Sequence, residues 1–181
     1  MADEAPNRAY YRAVEGAWAC RLDLSITDWR AFRATSMSLA ERLQLLAMLA
    51  GMRLAGAFRL DTSVDASRNP VVHTTSVSKW GLTMMRSTEW LSLDANGRDG
   101  TMRIAMRYWP NLSREWITDL APFTVDADGR RADYRIPWFG TEMRQRGEHN
   151  AADDTVTLVQ ETAFLRGVQV LRRQPGAVRP G

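Results

Sequence analysis

At 181 residues the chain fits one domain, which buries roughly 70% of its unfolded surface and leaves room for a core with a cavity. Its formal charge of +3 comes from 24 Lys and Arg mixed with 21 acids along the whole chain; no basic stripe tracks a phosphate backbone, which argues against a nucleic-acid partner. One cysteine, Cys20, permits no internal disulfide and no C-x-x-C metal site.

Residues 1 to 9 read as a loose polar tail, with Tyr10 and Tyr11 opening a helical turn or docking the N-terminus. Met1 to Arg12 holds no apolar h-region, and no run of 18 apolar residues follows. The expected setting is cytoplasmic, without membrane insertion. From Gly16 to Thr27 the chain alternates, with Trp18, Cys20, Leu22, Leu24 and Ile26 on one face and Arg21, Asp23, Ser25 and Thr27 on the other. That is a half-buried strand.

Ser38 and Glu41 stand at capping-box spacing, so a helix is expected from about Leu39 to Leu54, ended by Gly51 or Gly56. Its apolar stripe is wide, which half sinks it into the body of the protein. Ala57 to Val64 reads as a strand and Asp65 to Pro70 as a loop. The stretch from Val71 to Trp109 is rich in Thr, Val, Ile and aromatic residues at period two, broken only at Gly81 and at Asn96-Gly97, which predicts antiparallel strands. Pro122 to Val125, Ala132 to Arg146 with Pro137 as an edge or bend, and a last strand from Thr155 to Leu165 that Gly167 interrupts and Val168 to Arg172 finishes complete the strand list. The tail 174–181 holds two Pro and two Gly and reads as disordered.

About eight strands at meander spacing with one early amphipathic helix predict a mainly β fold. The expected architecture is a single antiparallel up-and-down barrel over residues 1–173, since closure removes the exposed edges of a meander. Eight strands leave an interior just wide enough for side chains or one small ligand. Gly16-Ala17-Trp18 at the start of the first long strand and Arg172-Arg173 near the end of the last resemble the Gly-x-Trp and closing Arg of lipocalin-like (calycin) barrels. Ala132-Asp133-Tyr134 is the nearest counterpart of that family's Thr-Asp-Tyr element, and a helix after the first strand is similar to the arrangement in fatty-acid-binding proteins. The resemblance implies a closed or nearly closed barrel with a pocket for an apolar or amphipathic molecule.

Sharper motifs fail. Asp94 to Gly100 opens like a calcium loop, but Arg98 and Ala105 stand where oxygen ligands are required. No Gly-x-Gly-x-x-Gly, Walker or Gly-x-Ser-x-Gly pattern is present. His73 and His149 are too few and too isolated to build a zinc site, and His149 sits in a turn-like Gly147-Glu148-His149-Asn150 run. Neither a metal nor a cofactor is expected.

Period-two geometry sorts the central strands by face. His73, Thr75, Val77 and Lys79 share one side; Met84, Arg86, Thr88 and Trp90 oppose Met85, Ser87, Glu89 and Leu91; Met102, Ile104, Met106 and Tyr108 oppose Arg103 and Arg107. Mixed polarity on both faces predicts an interior that is not a dry core. The candidate catalytic residues are His73, Glu89, Glu142 and Lys79, since a His oriented by a carboxylate transfers protons near neutral pH. Arg86, Tyr108, Trp90, Trp138, Met84 and Met106 are the candidate binding residues. If Glu89 turns away from His73, Arg86 becomes its neighbour and an anchor for an anionic or carbonyl group. Three function classes follow: a cofactor-independent isomerase, cyclase or lyase acting on a hydrophobic metabolite, a carrier for such a ligand, and an accessory subunit meeting a protein partner. Chemistry is favoured over carriage by the polar groups on the strands, and self-association into a homo-oligomer stays open.

Overall fold

Inward apolar and outward polar side chains alternate through most of the chain and roll it into a closed wall. The computed structural model describes residues 5–67, 69–109, 111–138 and 141–174. The strands are β1 (Gly16–Ile26), β2 (Phe58–Asp65), β3 (Val71–Lys79), β4 (Leu82–Leu93), β5 (Asp99–Tyr108), β6 (Asn111–Ile117), β7 (Ala121–Val125), β8 (Arg131–Trp138), β9 (Thr141–Asn150), β10 (Thr155–Glu161) and β11 (Leu165–Arg173). Their order is β4-β3-β2-β1-β11-β10-β9-β8-β7-β5-β6, and a further β4–β5 pairing closes ten of them into a ring. The eleventh, β6, pairs with the second half of β5, while β7 pairs with the first half.

The ring therefore has ten strands rather than about eight. Ala132 to Arg146 reads as one bent strand, but the chain folds back inside it: β8 and β9 are a hairpin in which Pro137 stands opposite Glu142. Proline is tolerated there because β7 reaches only Ala132 to Tyr134 of β8, so the far half of that edge has no ladder bond to lose. Likewise β10 and β11 turn at Thr162, whose hydroxyl accepts from the amides of Phe164 and Leu165. The expected tail 174–181 lies outside the described residues from 175 onward.

Three helices close the ends. α1 (Pro6–Val14) starts on a proline, whose missing N–H is no loss in a first turn, and buries Asn7, Tyr10 and Tyr11. The segment from Pro6 on is thus a docked helix and not a loose tail. Trp18 Nε1 donates to the Val14 carbonyl at 3.0 Å. The Arg173 guanidinium lies 4.1 Å from the Trp18 ring centroid and donates to the carbonyls of Ala13 and Glu15. It thereby satisfies carbonyls that the end of α1 leaves open and ties together the residues that carry the calycin resemblance.

At the other end stand α2 (Trp29–Arg33) and α3 (Leu39–Ala55). α3 begins on the expected capping box, with Ser38 Oγ accepting from the Glu41 amide at 3.3 Å and Glu41 Oε2 accepting from the Ser38 amide at 2.7 Å. The core falls into three clusters: Tyr10, Tyr11, Leu91 and Phe123 under α1; Phe32, Leu45, Leu49 and Phe164 under α2 and α3; and Trp18, Cys20, Phe58 and Leu171 on the wall. Outward positions on β8 and β9 carry Arg131, Asp133, Arg135, Arg144, Arg146 and Glu148, all exposed. Such a surface differs from the apolar band of a lipid-facing barrel, and no helix among the described residues is long and apolar enough to cross a membrane.

Candidate functional site

Between the three clusters the wall encloses a cavity of about 230 Å³, larger than the ~150 Å³ apolar cavity that accepts benzene. The volume suits one ring with short substituents. Leu22, Leu24, Leu60, Met102, Ile104 and Met143 supply apolar wall, and Met48, Gly51 and Met52 of α3 also line it.

The polar centre is on β3 and β4. A two-residue turn at Trp80 (φ 50°) and Gly81 (φ 78°) joins them, the left-handed pair that suits the strand twist. Next to the turn Lys79 pairs with Leu82 and Ser78 with Thr83; continued straight, this ladder would set His73 opposite Thr88. A one-residue bulge between Val77 and Ser78 shifts the register and sets His73 opposite Glu89. It also brings both Met84 and Met85 to the cavity.

His73 is 8% exposed, with Nδ1 2.9 Å from Glu89 Oε2. Its Nε2 is buried and has no hydrogen-bond partner. When Nδ1 donates to the carboxylate, Nε2 is left as an acceptor. The Tyr11 ring centroid lies 5.6 Å from the imidazole, and Tyr11 and Tyr134 share a hydrogen bond of 2.8 Å between hydroxyls. Burial first, then the nearby Glu89 carboxylate, pushes the Tyr11 phenol well up; burial does the same to Tyr10 and Tyr134, where Glu89 adds a smaller push. Tyr108 is raised by burial alone and donates to Met106 Sδ at 2.8 Å. All four tyrosines of the chain line the cavity, as neutral phenols able to donate hydrogen bonds.

Of the residues singled out from sequence, His73, Glu89, Tyr108, Trp138, Met84 and Met106 meet around this cavity. Four do not. Glu142 points outward and pairs with Arg144 at 3.0 Å, because the alternation that turns Met143 inward turns Glu142 out. Lys79 reaches the Ala57 carbonyl and lies over the Phe58 and Trp80 rings. Arg86 is exposed on the outside, across from Ser76 and Arg107, so it is not the neighbour of His73. Trp90 stands opposite Val72 and Arg103, in phase with Arg86 and away from the cavity. His149, read as a turn residue, lies in β9 next to its end at Asn150, 3.4 Å from Asp154.

Sequence reasoning missed a second polar group on the inner wall. Gln160 Nε2 donates to Gln145 Oε1 at 2.7 Å, Gln169 Nε2 donates to Gln160 Oε1 at 3.3 Å, and Cys20 Sγ approaches Gln169 Oε1 at 3.9 Å. Gln145 falls in phase with the inward Met143 and Gly147, a signal that sorting β9 by face would have found. Burial pushes the Cys20 thiol up to about 11, so at neutral pH it is a thiol and not a nucleophilic thiolate. Among the described residues no group of three or more His, Cys, Asp and Glu is placed to hold a metal ion.

Fold and site together define a closed, antiparallel, ten-stranded β-barrel, consistent with a calycin-like fold, around an internal cavity with a histidine–carboxylate pair in its wall. The chain matches no protein-family model, and no curated protein matches it.

Proposed function

We propose that the barrel binds a small, largely apolar metabolite and that His73 moves a proton on it, in a cofactor-independent isomerisation, cyclisation or elimination. The observation that carries this reading is the buried His73–Glu89 pair, with Nε2 unpartnered, in the wall of a mostly apolar cavity. An unpaired buried acceptor costs about 1–3 kcal/mol, which a ligand hydroxyl or an acidic C–H beside a carbonyl relieves. In the proposed step the C–H bond breaks, its proton goes to Nε2, and its electron pair moves into the carbonyl to form an enolate. Glu89 steadies the imidazolium so formed, and whichever hydroxyl of the Tyr11–Tyr134 pair accepts from the other keeps its own hydrogen to donate toward the enolate oxygen. The imidazolium then returns the proton to another carbon or to a departing hydroxyl. A non-catalytic carrier for an apolar or amphipathic ligand is the second reading, supported by the Leu and Met lining.

Hydrogen–deuterium exchange at the α-carbons of 2-indanone, a cavity-sized ketone, tests the step without knowledge of the natural substrate. In deuterated buffer the wild-type protein is expected to speed exchange over buffer alone, His73→Ala to abolish the effect, and Glu89→Gln to slow it on the order of 10²-fold. Saturable binding of 2-indanone with exchange no faster than in buffer would put the carrier reading first.

A further inference from the structure

Around the ten-strand ring, β9 and β10 stand five strands from β3 and β4 in either direction. The wall opposite His73 and Glu89 is therefore the one that carries Gln145 and Gln160. There the hydrogen bonds run one way: Cys20 Sγ to Gln169 Oε1, Gln169 Nε2 to Gln160 Oε1, and Gln160 Nε2 to Gln145 Oε1. Each amide oxygen is taken by its neighbour. The relay ends on Gln145 Nε2, which makes no hydrogen bond among the described residues. All four side chains line the cavity, where an amide hydrogen finds no partner on an apolar wall. Gln145 is also held in place: it pairs across the strands with Tyr134, whose hydroxyl is fixed by Tyr11.

We propose that Gln145 is a second anchor of the ligand site, donating from Nε2 to a carbonyl oxygen held across the cavity from the group that meets His73. This rests on the reading of the barrel as a small-molecule site and narrows the ligand class. The ligand is a compact apolar skeleton with a hydrogen-bond donor or acidic hydrogen at one end and a carbonyl oxygen at the other. A single ring substituted at opposite positions spans a cavity of about 230 Å³ in this way, whereas a simple hydrocarbon or a long-chain acid does not fit the pattern.

The test compares 4′-hydroxyacetophenone with 4-ethylphenol, near-isosteres that share the hydroxyl and differ in the carbonyl, by calorimetric titration. Wild type is expected to favour the ketone about threefold to tenfold, the worth of one neutral hydrogen bond. In Gln145→Met that preference should vanish while 4-ethylphenol binds within about twofold of wild type, because Met keeps the volume and removes the donor. Gln145→Glu, nearly isosteric, covers the case in which Met disturbs the wall, and it should disfavour the ketone. Equal binding of the two probes by wild type, or a preference that survives in both variants, overturns the role of Gln145 and leaves the small-molecule reading standing. If neither phenol binds wild type, that underlying reading falls and the second anchor falls with it.

Discussion

His73 meets Glu89 through one residue of bulge. The alternation over Val71 to Leu93 shows that both side chains can face inward, but pairing them requires the register shift at Val77/Ser78, without which Thr88 would stand opposite the imidazole. A bulge leaves no mark in hydropathy, so from sequence the pair could be named as a candidate while the face that Glu89 takes stayed open. Glu142 lies off this cavity, and that was readable: Met143, its neighbour in the strand, takes the inward face. The tyrosines supply a test at this scale. Their folded-state phenols lie above the ordinary value near ~10 because burial disfavours the phenolate. The native state thus binds their protons more tightly, and the resulting stability is present in full below about pH 10 and is lost as pH rises beyond it. Phenolate absorbance should stay flat through about pH 10 and then rise together with unfolding. A titration centred near ~10 in protein that remains folded by circular dichroism would show that the tyrosines are not sealed in.

At the scale of elements, the capping box announced α3 from four residues, whereas α1 gave no comparable sign. Nine residues are too few to hold a helix alone, and what holds α1 is tertiary: Tyr10 and Tyr11 in the barrel mouth and Arg173 on its last carbonyls. Those contacts come from strands distant in sequence, which local patterning does not see. Gly147 is part of the fit, since a Cβ there would run into the Tyr10 hydroxyl. Gly147→Ala should therefore destabilise the fold by about 1–3 kcal/mol through overpacking, lowering the melting temperature by ~2–4 °C per kcal/mol. Ser38→Ala should cost about 1 kcal/mol by uncapping α3. Calorimetric melting checks both, and an unchanged midpoint in Gly147→Ala would mean that α1 is not packed on β9.

For the whole molecule, a closed antiparallel barrel followed from the strand pattern, and the count fell short because two hairpins hide in runs that read as single strands. The reversal between Trp138 and Thr141 and the one at Thr162 lie beside continuous strand-like composition, so punctuation by Pro137 and Gly167 misled. Ten strands enlarge the ring, and α1, α2 and α3 close its ends over a cavity that the side chains leave unfilled. The central claim is that a small molecule enters this cavity and engages His73 Nε2. Nitrogen NMR of the imidazoles tests it most directly, since the chain has only two histidines and His149 stands apart from the cavity. On titration with 4-ethylphenol the His73 Nε2 resonance should move saturably while those of His149 stay in place. Resonances of both histidines unmoved at saturating phenol would contradict the account.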